Sequence, residues 1–127
     1  MEFTLKTIIQ ASAKEIYTAW LDSEGHSKMT GGAANASDKP GESFTAWDGY
    51  IEGKNLALEP YKRIVQSWRT SEFEQGEEDS QIEILLKETE DQTELTLIHT
   101  QVPEGGDNYI QGWKEHYFHP MKSYFSS

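Results

Sequence analysis

The sequence predicts an α+β fold: a curved antiparallel β-sheet wrapped around a long C-terminal α-helix, with two short helices after the first strand. Three observations carry that expectation. Apolar and polar residues alternate with a period of two in six separate segments, the mark of strands with one buried face. Turn residues such as Asp48-Gly49 stand between consecutive segments at hairpin spacing. Ile110, Trp113, Tyr117, Met121 and Tyr124 then recur at intervals of three and four, the stripe of a long helix buried along one side. A lone sheet must cover its apolar face, and this helix is the one large cover available.

Taken in order, Glu2 to Ile9 places Phe3, Leu5 and Ile9 on one side of a first strand, with Glu2, Thr4 and Lys6 opposite. Ser12 stands three residues before Glu15, the spacing of a capping box, and Ala13, Ile16, Tyr17, Trp20 and Leu21 follow at helical intervals. Asp22 or Ser23 caps a second short helix, which Gly31-Gly32 ends, and small polar residues up to Gly41 form a loop. Ser43–Trp47 and Tyr50–Leu58 are strands joined at Asp48-Gly49, pairing Trp47 with Tyr50 and Ala46 with Ile51. Phe44, Ala46 and Ile51 share a face, and Gly53 marks a bulge that curves the strand. Pro60-Tyr61-Lys62 turns the chain into Arg63–Thr70, with Ile64, Gln66 and Trp68 on one face. Ser71 to Glu78, with four glutamates, reads as a solvated loop. Gln81–Lys87 and Thr93–Thr100 form a second hairpin that turns at Thr89–Gln92, with Ile82, Ile84, Leu86, Leu95, Leu97 and His99 inward. After the Pro103–Asn108 loop comes the long helix, bent where Pro120 removes the backbone bond to His116.

The 127 residues amount to one domain, 1–127, large enough for a real core. Scaling gives ~21,000 Å² of surface unfolded and ~7,000 Å² folded, so roughly two thirds is buried. Twenty-two acidic residues against 11 basic ones give a net charge of −11, which repels a phosphate backbone and argues against nucleic acid as partner. With no cysteine, disulfides, thiolate metal sites and cysteine nucleophiles are excluded. No apolar run approaches the ~18 residues of a membrane span, and the N-terminus lacks the layout of a signal peptide. The expected location is the cytoplasm, with no membrane partner.

Candidate chemistry is sparse. His116 and His119 lie three apart on the helix, and His99 and His26 could join them on a metal, yet neither cysteine nor a His-Glu-x-x-His spacing supports such a site. No Gly-x-Ser-x-Gly turn presents a nucleophile, and Gly31-Gly32 and Gly105-Gly106 lack the remainder of a phosphate-binding fingerprint. The glutamates of 71–78 belong to solvent rather than to a carboxylate pair in a cleft. Four tryptophans among fifteen aromatics are a heavy load, and packing is their default role. A helix across a concave sheet also leaves room for a cavity. Phe44, Trp68, Leu97, Trp113 and Tyr117 are its candidate lining, with His99 as the polar handle. No metal or cofactor is expected.

Thr30-Gly31-Gly32, the run Phe44–Leu56 containing Asp48-Gly49-Tyr50-Ile51, and Arg63–Arg69 ending in Trp68-Arg69 together resemble a known family. So does the closing block of Leu95–Thr100 with His99-Thr100, Gly112-Trp113 and Pro120–Tyr124. The chain resembles, over nearly its whole length, the family named after the C-terminal domain of the activator of Hsp90 ATPase, within the START and Bet v 1-like superfamily. The resemblance implies the helix-grip fold, in agreement with the periodicity. Met29 stands where relatives often carry an aromatic, and Tyr61 replaces a glycine common in that turn. The eukaryotic activator also carries an N-terminal domain with an Asn- and Trp-rich motif, for which 127 residues leave no room.

Three functions are ranked from this reading. The first is a non-enzymatic domain holding a small hydrophobic or amphipathic ligand between sheet and helix. The second is a co-chaperone-type module of an Hsp90-related stress response, meeting a chaperone or other protein partner through its acidic face and exposed aromatics such as Trp47 or Tyr50. An enzyme using His99 as acid or base comes third.

Overall fold

The computed structural model describes residues 1–126. Six strands make one antiparallel sheet in the order β1-β6-β5-β4-β3-β2, comprising β1 (Phe3–Ile9), β2 (Ser43–Ala46), β3 (Ile51–Glu59), β4 (Arg63–Thr70), β5 (Ser80–Thr89) and β6 (Gln92–Thr100). β2 to β6 form a meander of hairpins, and β1 closes the far edge, Phe3 opposite His99 and Ile9 opposite Thr93. Helices α1 (Ala13–Trp20) and α2 (Ser23–Thr30) follow β1, and a final helical run covers the sheet as α3 (Asn108–Trp113), a π-helical segment (Lys114–Phe118) and α4 (His119–Ser126). This is the expected α+β helix-grip arrangement. Ile64, Trp68, Ile82, Ile84, Leu95 and Leu97 from the sheet meet Trp113, Tyr117 and Met121 from the helix, all buried. The described residues expose 6964 Å², the area expected for a compact chain of this length.

The helix ends follow local chemistry. Ser12 Oγ accepts from the Glu15 N–H at 3.1 Å, and Glu15 Oε1 accepts from the Ser12 N–H at 3.1 Å, so the capping box is reciprocal. Asp22 rather than Ser23 caps α2, accepting from Gly25 N–H at 2.8 Å. Gly31 ends it at φ 91°, a left-handed cap that glycine adopts without a Cβ penalty. Beside it, a Cβ on Gly32 would stand 2.4 Å from the Trp47 ring, so this second glycine lets the indole lie against the backbone.

Four details differ from the sequence reading. The first hairpin turns through four residues, not two: Ala46 pairs with Ile51, and Trp47, Asp48 and Gly49 all have positive φ (51°, 58°, 90°). Trp47 thereby leaves the strand, although the Tyr50 N–H still donates to its carbonyl at 3.1 Å. The bulge falls between Asn55 and Ala57, so Leu56 is the extra residue. Gly53 has another task, because a Cβ there would meet the Ser67 carbonyl oxygen at 1.9 Å and the Phe44 ring at 2.7 Å. The disturbance expected at Pro120 takes the form of a π-helical segment just before it, where the His119 N–H reaches back five residues to the Lys114 carbonyl. Beyond this widened turn Tyr124 is exposed, and Phe125 packs on the core in its place.

The β4–β5 loop is more than a solvated tether. Phe73 is buried with its ring 6.2 Å from Trp68, and Arg69 donates to Asp79 at 2.8 Å and to the Glu77 carbonyl at 3.1 Å. In the β3–β4 turn, Tyr61 holds φ 66° at a position that favours glycine. Its ring meets Tyr17 edge-on at 5.6 Å, a contact that offsets part of the strain.

Candidate functional site

Alternation along β6 points His99 inward, and the structure encloses it completely. Trp113 Nε1–H donates to His99 Nδ1 at 3.1 Å, which makes Nδ1 the acceptor and leaves the ring proton on Nε2. Nε2–H then donates to Ser80 Oγ at 2.8 Å, and Ser80 O–H donates to the Trp68 carbonyl at 2.7 Å. Every group in this chain is neutral and partnered. Burial pushes the His99 pKa down to about 3. Ser80 and His99 are therefore not a nucleophile and its base: the serine proton is committed to a carbonyl, and no carboxylate orients the imidazole.

A second buried polar chain, which sequence reasoning missed, holds the helices to each other. Tyr117 O–H donates to His26 Nε2 at 2.8 Å, and His26 Nδ1–H donates to the Trp20 carbonyl at 2.8 Å. Burial lowers the His26 pKa and raises that of Tyr117. Trp20 Nε1–H donates to Gln66 Oε1 at 3.2 Å, Gln66 to Asn55 Oδ1 at 2.8 Å, and Asn55 Nδ2 to the carbonyls of Ser37 and Lys39. Gln66 on the inward face of β4 was the available signal, since a buried amide needs a partner.

Next to this closed region the sheet and helix part. A cleft of about 640 Å³ opens between the β2–β3 hairpin, β4 and the first half of the C-terminal helix. Trp47, Tyr50 and Ile51 line it from the hairpin, and Trp68 forms its floor. Across from them stand Tyr109, Gly112, Trp113, His116 and Tyr117. Of the residues expected there, Trp68, Trp113 and Tyr117 line the cleft. Phe44, Leu97 and His99 do not: Phe44 is buried against Gly53, and Leu97 and His99 lie wholly within the core. Trp47, expected as an exposed contact residue, is half-buried, with its ring 5.5 Å from His116, whereas Tyr50 is 37% exposed.

Two features set this cleft apart from a packing defect. Trp47 Nε1 is shielded from solvent yet has no hydrogen-bond partner among the described residues, and its φ of 51° is costly for a bulky side chain. Gly112 lies within the helical run, and a Cβ there would meet nothing within 4 Å. Glycine in such a place weakens a helix by roughly 0.5–1 kcal/mol relative to alanine, and the packing supplies no reason for it. Among the described residues no three histidines, aspartates or glutamates come together as metal ligands.

A sequence model of the activator of Hsp90 ATPase homolog 1-like proteins matches residues 10–126. The chain belongs to this family. An uncharacterized protein of Schizosaccharomyces pombe is 30% identical over 116 residues, covering 91% of this chain and 34% of the relative. The human activator of 90 kDa heat shock protein ATPase homolog 1 is 27% identical over 125 residues, covering 98% and 37%. The chain thus spans about a third of the length of these curated relatives. A crystal structure described as an HSP90 activator from Plasmodium falciparum superposes with a TM-score of 0.88 at 21% identity, over 97% of this chain and 94% of the other, and so shares the fold. In this member of the Hsp90-activator-like family, Gly112-Trp113 lines the cleft, and Thr30-Gly31-Gly32 lies behind its Trp47 wall. Gly32 receives the Trp47 ring, and Gly112 leaves the opposite wall open. No helix among the described residues is long and apolar enough to cross a membrane.

Proposed function

We propose that this domain holds a small apolar or amphipathic ligand in the aromatic cleft, without performing chemistry on it. The observation that carries the reading is the open wall at Gly112, where a helix forgoes side-chain cover directly over a cleft lined by three tryptophans. A volume of about 640 Å³ lies within the ~300–1,000 Å³ of small-molecule sites, and a ligand against the bare helix backbone would occupy the space that Gly112 leaves open. The test is a thermal-shift screen of lipids, sterols and aromatic metabolites on wild type and on Gly112→Leu. A ligand that binds only the folded form stabilises it by ~2.7 kcal/mol at a hundredfold excess over Kd. The expected result is a shift in wild type that is lost when leucine fills the cleft; no shift from any compound would end the proposal.

A second reading follows from the relatives: a module that meets a chaperone of the Hsp90 class. It is supported by the descriptions of the human and Plasmodium proteins as Hsp90 activators and by a surface carrying a net charge of −11. On this reading the isolated chain stimulates Hsp90 ATPase weakly, and ~1 M salt abolishes the effect because charge carries the contact. No stimulation at low salt would contradict the reading, and strong stimulation insensitive to salt would contradict a contact carried by charge.

A further inference from the structure

Two separate concavities flank the start of the C-terminal helix. Beside the aromatic cleft lies a depression of about 520 Å³ between the β4–β5 loop and the loop preceding α3. Asn108 and Tyr109 line both, and the Tyr50 hydroxyl on the cleft side donates to the Glu72 carboxylate on the depression side. Their charge is one-sided. Glu72, Glu74, Glu77 and Glu104 line the depression and Glu115 lines the cleft, while among the described residues no lysine or arginine lines either. Arg69 is the cation beside the depression, its guanidinium 5.3 Å from the Phe73 ring and donating to the Glu74 and Glu77 carbonyls, and its charge is paired with Asp79. The start of α3 contributes only about half a positive charge, which the glutamates outweigh.

Resting on the reading of the cleft as a ligand site, we infer that its ligand is an amphipathic organic cation. The apolar body sits between Trp47, Trp68 and Trp113, and a protonated or quaternary nitrogen points to the glutamate-lined depression. Three arguments favour this charge. An anion of the same shape meets like charge at the rim and a molecule that is −11 overall. The indole and phenol faces at the junction attract a cation through their quadrupoles. A cation seated in the cleft meets the Glu115 carboxylate in its lining and the field of the neighbouring glutamates, whereas a neutral molecule gains nothing from either.

The experiment titrates the whole chain, followed by tryptophan fluorescence, with decyltrimethylammonium, decanol and decanoate, at ~0.01 M and ~1 M salt. The cation is expected to bind about tenfold more tightly than the alcohol at low salt, with decanoate weakest, and its advantage shrinks severalfold at high salt. The double variant Glu74→Gln, Glu104→Gln removes two charges whose carboxylates have no hydrogen-bond or ion-pair partner among the described residues. It should weaken the cation severalfold and leave decanol unchanged. Tetramethylammonium, which lacks the tail, should not bind measurably; binding as tight as the decyl cation would mean surface attraction alone and overturn the inference. Equal affinities for the three decyl probes, or a preference for decanoate, would also overturn it while leaving the cleft reading intact. Failure of all three to bind defeats the cleft reading and this inference together.

Discussion

The sheet–helix contact has two regions built from the same kinds of residue and finished in opposite ways. In the closed region His99, Ser80, His26, Gln66 and Asn55 are buried, and each has its hydrogen-bond partner. In the open region Trp47 keeps an indole N–H with no partner among the described residues, three successive turn residues hold positive φ, and Gly112 leaves a wall bare. Trp113 belongs to both, with its N–H bonded to His99 and its ring along the cleft. The contrast teaches that buried polar chains serve stability here, while the border of the cleft carries costs that no contact among the described residues offsets.

The largest break in this comparison is Trp113→Ala. Trp113 is only 3% exposed despite lining the cleft, so the loss should approach the ~3–5 kcal/mol of a packed aromatic, read from denaturant midpoints. A loss of ~1–2 kcal/mol would instead place the ring in an open, hydrated site.

Acid should break the closed region next. His99 has a folded pKa of about 3 against an ordinary 6.5, and His26 is lowered in the same direction by burial. The unfolded chain binds protons first, so stability is fully present above pH 6.5 and is lost as pH falls toward 3. His99 alone should remove about 2 kcal/mol by pH 5. Denaturation across pH on wild type and His99→Asn checks this, because the variant should show a shallower decline between pH 6.5 and 4; parallel curves would contradict the assignment.

Two hydroxyl and indole deletions sharpen the contrast further. Tyr117→Phe strands His26 Nε2 as a buried acceptor and should cost about 1–3 kcal/mol. Trp47→Phe removes a buried donor that has no partner among the described residues, so its polar contribution should favour stability rather than add to the loss. Chemical denaturation of the pair measures the difference, and equal losses would erase the distinction between the regions. The smallest effect has the opposite sign: Gly112→Ala should stabilise the fold by roughly 0.5–1 kcal/mol in thermal melts. If it destabilises, the wall is not open.

Much of this arrangement was legible in advance because it is local. Ser12 and Glu15 announced the start of α1, and strict alternation placed Ile82, Ile84, Leu95 and Leu97 on the buried face. Trp68, Trp113 and Tyr117 were read as cleft residues from their positions on elements that face each other. Trp47 was misread because its direction depends on a four-residue turn with left-handed backbone, which Asp48-Gly49 alone does not distinguish from a two-residue turn. The π-helical segment was likewise hidden, since Pro120 signals a lost hydrogen bond but not how the preceding turn adapts.

By itself, then, the amino-acid order determined the element types, the strand sequence, the inward face of each strand and the family likeness, all of which depend on spacing along the chain. Tertiary structure alone decided which inward residues are sealed and which border a cleft. His99 and Trp68 share one inward face of the sheet, yet the first is enclosed by Trp113 and Ser80 while the second floors an opening. Periodicity states which way a side chain points; what stands opposite it depends on how far helix and sheet lie apart, which spacing along the chain does not specify.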